Sequence, residues 1–130
     1  MSGEVGGAST KGTGTRCRID VDEDGRFSWR LTANNGRVIA LGARTYPDDA
    51  HCRAAFAVLC EQAAGLAGGV RHAAESNGWV WRLRGPDGQV HAVSARAYER
   101  HSTCQAALER FRVLLLGLGA ADAALRGGAD

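Results

Sequence analysis

Four cysteines and four histidines are the residues of this chain best suited to metal, redox or nucleophilic chemistry. Cys17, Cys52, Cys60 and Cys104 form no CxxC pair. His51, His72, His91 and His101 fall at no spacing that closes a four-ligand zinc site with them. Cys52 and Cys104 recur on the apolar face of two helical patterns, and Cys17 falls on the inward face of a strand pattern. Small buried thiols are therefore expected, with no metal, no cofactor and no catalytic cysteine. Asp20, Asp22, Glu23 and Asp24 crowd one hairpin turn, but the second copy has Ala73, Ala74, Glu75 and Ser76 there, so the reading is a solvated turn. No phosphate-binding glycine motif occurs. The expectation is a protein that is not an enzyme.

Arginine is the unusual feature. There are fifteen arginines and a single lysine, with a net charge of only +2. Strand alternation sets Arg16, Arg18, Arg26 and Arg30 on one outward face. Arg82 and Arg84 do the same in a second segment, with Arg44 and Arg96 at strand ends. Such a face could grip phosphates, since guanidinium forks suit them. The interspersed Asp20, Asp22 and Glu23 and the low net charge argue against it. The preferred reading is an interaction or accessory module, meeting an unknown protein partner or itself. A nucleic-acid-binding face is the alternative.

What positions these residues is a duplication. Residues 27–56 and 79–108 align without a gap, and twelve of the thirty positions are identical. Phe27-Ser28-Trp29-Arg30-Leu31 returns as Trp79-Val80-Trp81-Arg82-Leu83, and Ala43-Arg44-Thr45-Tyr46 as Ala95-Arg96-Ala97-Tyr98. A fixed period of this kind signals tandem repeats, each too small to bury a core alone. The organisation expected is a disordered tail over 1–15, one repeat over 16–67, a second over 68–119 and a tail over 120–130.

Within a repeat the hydrophobic period changes from two to 3.6. Cys17, Ile19 and Val21 alternate, as do Phe27, Trp29 and Leu31, and Asp24-Gly25 and Asn35-Gly36 mark hairpin turns. In the third strand Val38 and Ala40 share one face, Ile39 and Leu41 the other. Cys52, Ala55, Phe56, Leu59 and Ala63 then trace a helix face opened by an Asp cap at Pro47-Asp48-Asp49 and stopped by Gly65. The second repeat follows suit: strands over 70–74, 79–84 and 89–94, then a helix from about 100 to 116 ended by Gly117 and Gly119. A last short strand over 123–126 is left open. Trp29 and Trp81 belong in the core, against Phe56, Leu108 or their neighbours. The N-terminal residues carry no secretory signal and no apolar run spans a bilayer, which points to the cytoplasm and away from membranes.

The run from Phe27 to Ala40, with Tyr46 ahead of an Ala-rich helix, resembles the YegP-like family of small bacterial proteins. Trp79 to Leu83, Gly88, Val90, Ala92 and Tyr98 carry the likeness a second time. It covers about 16–116. It implies an α+β fold: tandem β-β-β-α-β units sharing one antiparallel sheet, with two helices on one face, a pseudo-two-fold axis, and the strand after each helix crossing to the other unit. The family offers no established activity or catalytic residue to carry over. The chain departs from its pattern at Gly42-Ala43 and Ser94-Ala95, and at Pro86-Asp87.

Overall fold

The computed structural model describes residues 15–129, with side chains described through Gly119. The tail expected over 1–15 lies outside the described residues except for Thr15, which is buried. The elements are β1 (Arg16–Val21), β2 (Phe27–Thr32), β3 (Val38–Gly42), α1 (Asp49–Gln62), a 3-10 turn (Ala63–Gly65), β4 (Gly68–Ala73), a second 3-10 turn (Ala74–Ser76), β5 (Gly78–Arg84), β6 (Val90–Ser94) and α2 (His101–Ala129). The result is an α+β protein with one six-stranded sheet, ordered β1-β2-β3-β6-β5-β4, every neighbour antiparallel.

The turns form for local reasons. Gly25, Gly36 and Gly88 adopt positive φ, at the turn positions where a side chain would be strained. Asp22, Asn35 and Asp87 brace these turns by accepting backbone N–H groups two residues on, each at 2.9 Å. Asp48 caps α1, accepting from the His51 backbone N–H at 2.8 Å. That bond is the main reason its carboxyl is held below the usual carboxylate range.

Both helices pack on the sheet face that carries Trp29, Leu31, Ala40, Trp81, Leu83 and Ala92. Trp29 meets Phe56 edge to face at 4.9 Å, and Trp81 stacks on Phe111 at 4.7 Å. Cys52, Phe56 and Leu59 of α1 and Cys104, Leu108, Phe111 and Leu115 of α2 close the core. The helix periodicities read from sequence select these faces.

Three sequence readings are corrected. The helix expected to stop at Gly117–Gly119 runs on to Ala129, and 123–126 is helical where a strand was left open. Glycine within a helix costs only about 1 kcal/mol relative to alanine, and the following alanines favour continuation. Gly119 has a packing reason instead: a Cβ there would sit 3.0 Å from the Cys60 carbonyl oxygen, so its absence brings α2 close against α1. The first strand of the second half starts at Gly68, because Gly68 and Gly69 pair with Leu83 and Arg82. In β3 a bulge opposite Leu31/Thr32 breaks the alternation. Val38 is thereby exposed, while Ile39 packs on the core.

Candidate functional site

Among the described residues nothing packs over the other sheet face. Register places Arg18, Arg30, Leu41, Val93, Arg82 and Gly69 in one row across all six strands of that face. Strands lie about 4.8 Å apart, so Arg30 and Arg82 stand about 14 Å apart with Leu41 and Val93 between them. Leu41 is exposed. Arg16 lies two residues from Arg18 at the outer edge of the same face.

The arginines singled out in the sequence are not one cluster. Arg30 donates from Nε to Asp20 Oδ2 at 2.8 Å. Arg84 donates to the Gly88 carbonyl at 3.0 Å. Arg26 turns off the face, donating to Thr45 Oγ1 at 2.9 Å and to the Thr45 carbonyl at 3.2 Å. Arg44 and Arg96 sit in the loops leaving β3 and β6. Arg44 Nη1 is 3.6 Å from Asp87 Oδ2, and Arg96 lies 4.6 Å over the Tyr98 ring. Among the described residues, Arg16, Arg18 and Arg82 of the set remain on the face with no carboxylate or carbonyl partner. Positive charge is therefore interrupted by an apolar centre and by Asp20.

The thiols are buried, apart from the partly exposed Cys17, and no disulfide joins the four. Burial pushes the Cys17 thiol from 9.0 up to about 12, with Cys52 and Cys60 adding to the effect. Burial also raises Cys52 and Cys104. Such groups are poor nucleophiles. Among the described residues no three His, Cys, Asp or Glu side chains gather where a metal could sit. A pH test follows with a definite sign. The unfolded chain ionises Cys17 from about pH 9, whereas the folded chain holds the proton to about 12. Stability present at neutral pH is then lost as pH rises through that window. Denaturant midpoints are expected to fall over that range, and to fall less in Cys17→Ala; equal slopes would remove Cys17 as the cause.

Two features escaped the sequence reading. Arg112 Nη1 donates to the carbonyls of Ala63 at 2.7 Å and Leu66 at 2.8 Å, clamping the end of α1 from α2. Asp87 gathers three partners: the Gln89 backbone N–H, His91 Nε2 at 3.0 Å and Arg44. The Gln89 bond, then His91 and Arg44, hold its carboxyl below the usual range. Comparing Asp87 with Asn35, and His91 with Ile39, one period apart, was the signal that could have found this second cluster.

An antiparallel six-stranded sheet with two helices on one face defines the class: the fold of the YegP-like proteins. It matches the solution structure of yegP, a protein of unknown function from E. coli, with a TM-score of 0.64 at 13% identity, covering 78% of this chain and 86% of that one. It also matches a UPF0339 protein of Shewanella oneidensis, with a TM-score of 0.60 at 15% identity, covering 75% and 81%. No protein-family model matches the chain, and no curated protein does. Among the described residues no helix is long and apolar enough to cross a membrane.

Proposed function

We propose that the chain is a non-catalytic interaction module of the YegP-like family, made of two fused copies of one unit. The copies run over 16–67 and 68–119 and are related by a pseudo-two-fold axis passing between β3 and β6. Supporting this, the isolated bridges Phe27–Tyr46 and Trp79–Tyr98 lie one period apart, as do the bulges after Leu31 and Leu83. Four cysteines with no disulfide among them favour the reducing bacterial cytoplasm as its place of action.

The observation that carries the interaction reading is the open sheet row, apolar at Leu41 and Val93 and flanked by Arg18, Arg30 and Arg82. Its occupant is a protein presenting an apolar segment bordered by carboxylates. Leu41→Glu combined with Arg82→Glu reverses both characters without touching the core. In affinity purification from the native cell, a partner retained by the parent protein and by Val113→Glu on the helix side, but lost with the sheet pair, is the expected result. Identical recoveries from all three proteins would end the proposal.

The alternative, nucleic-acid binding, makes an opposite forecast. Contacts to about five phosphates would give a log–log salt slope of about −4.5 on duplex DNA. The expected result is weak binding at low salt that vanishes near about 0.15 M, where screening acts over about 8 Å. Sub-micromolar binding at that salt, lost in Arg18→Ala/Arg30→Ala, would install the alternative.

A further inference from the structure

Two places one period apart treat the same backbone differently. At the first, Arg44 and His91 both turn to Asp87, beside Tyr46. Gly85 makes the arrangement possible, since a Cβ there would fall 2.5 Å from His91 Cδ2. The counterparts at the second place are Arg96, Ile39, Asn35 and Tyr98, with Ala33 for Gly85. Asn35 has no charge to offer, and its Oδ1 is taken by the Arg37 backbone N–H at 2.9 Å. Arg96 therefore lacks the carboxylate that Arg44 has, and rests over the Tyr98 ring.

A groove of about 750 Å³ opens at this second place, between the start of β3 and the outer flank of α2. That volume lies within the ordinary range for small-molecule sites. Val38, Ile39, Val113 and Leu114 make its walls apolar, and Arg37, Arg96 and Arg110 stand along it. None of these three arginines is ion-paired with a described carboxylate. Glu109, the acid of the lining, faces Arg112 at 3.6 Å. Trp81 also lines the groove, almost fully buried, and its indole N–H finds no acceptor among the described residues. A buried donor left unmet costs free energy that an incoming acceptor would recover.

We infer that this groove binds a small organic carboxylate with an apolar body. The carboxylate sits against Arg96, doing there what Asp87 does for Arg44. The apolar body lies along Val38, Ile39 and Val113, and an oxygen of the ligand accepts from the Trp81 indole. The site is separate from the open sheet face, so its fate does not depend on the docking reading above.

Octanoate and 4-phenylbutyrate are suitable probes, with octanamide as the uncharged control. Calorimetry gives affinity, and the Trp81 indole resonance in heteronuclear NMR gives location. Both carboxylates are expected to bind in the millimolar range or tighter and to shift that resonance, with octanamide weaker by at least about tenfold. Arg96→Gln should weaken octanoate by a similar factor. Asn35→Asp should block it, because the chain then supplies its own carboxylate to Arg96; the same spectra verify that both variants are folded. A peptide ending in a free Leu carboxylate, run beside its amidated form, separates a small-molecule site from a chain-terminus site. Octanoate and octanamide binding alike, neither carboxylate binding, an unmoved Trp81 resonance, undiminished binding by Asn35→Asp, or binding of the free-ended peptide alone would each overturn the inference.

Discussion

Trp29→Ala is expected to be unfolded, or nearly so, at room temperature. Trp29 is 2% exposed, set edge to face on Phe56 and surrounded by the single core that both helices share. Removing a fully buried indole costs about 3–5 kcal/mol, from lost transfer energy and from the cavity left behind. A domain of this size has about 5–15 kcal/mol in all. Urea unfolding followed by far-ultraviolet circular dichroism reads the change directly. A loss below about 1 kcal/mol with an unchanged fold would mean that the ring is not in the core.

Arg112→Ala carries the next largest effect, about 3 kcal/mol. The side chain is largely buried, and one guanidinium nitrogen serves both the Ala63 and Leu66 carbonyls. Hydrogen bonds from a charged donor contribute about 1.5–3 kcal/mol each, and their loss leaves carbonyls at the end of α1 poorly satisfied. Arg112→Lys should recover part of this, because it keeps the charge but not the planar fork. Hydrogen exchange should quicken first in the last turn of α1 and in β4, which Leu66 leads into. Exchange that quickens evenly over the whole chain would point to general loosening instead of a lost clamp.

Much of the architecture was legible because local patterns and global fold agree. The alternation in β1, β2 and β5 and the 3.6 period of α1 each select the face that is buried. The readings that failed are those where tertiary packing overrides a local rule. Gly119 reads as a helix stop but serves a close approach between helices. Gly68 and Gly69 are poor strand formers, yet the edge of β5 recruits them. The bulge in β3 reverses Val38 and Ile39, which no alternation can foretell. The arginine surface was half legible for the same reason. Arg16, Arg18, Arg30 and Arg82 obey strand alternation. Arg26, Arg44 and Arg96 lie where strands end, and there hydrogen bonding and ring contacts decide direction. Arg112 was invisible because its partners are forty-six and forty-nine residues away.

The centre of the sheet is held by few pairings: Ala40 with Ser94, Leu41 with Val93 and Gly42 with Ala92. The junction is completed by α1 against α2, by Arg44 with Asp87, and by Arg112 on the Ala63 and Leu66 carbonyls. On the two-copy reading proposed above, a free-standing single copy would bare its β3 edge and half a core, and would persist only by finding an identical neighbour, so its folding would weaken on dilution. Fusing two copies through the short link at Leu66 and Ala67 replaces that search with a tethered encounter at an effective concentration of about a millimolar. Dilution then no longer matters, and on that reading each copy is free to differ from the other, as Asp87 and Asn35 do one period apart.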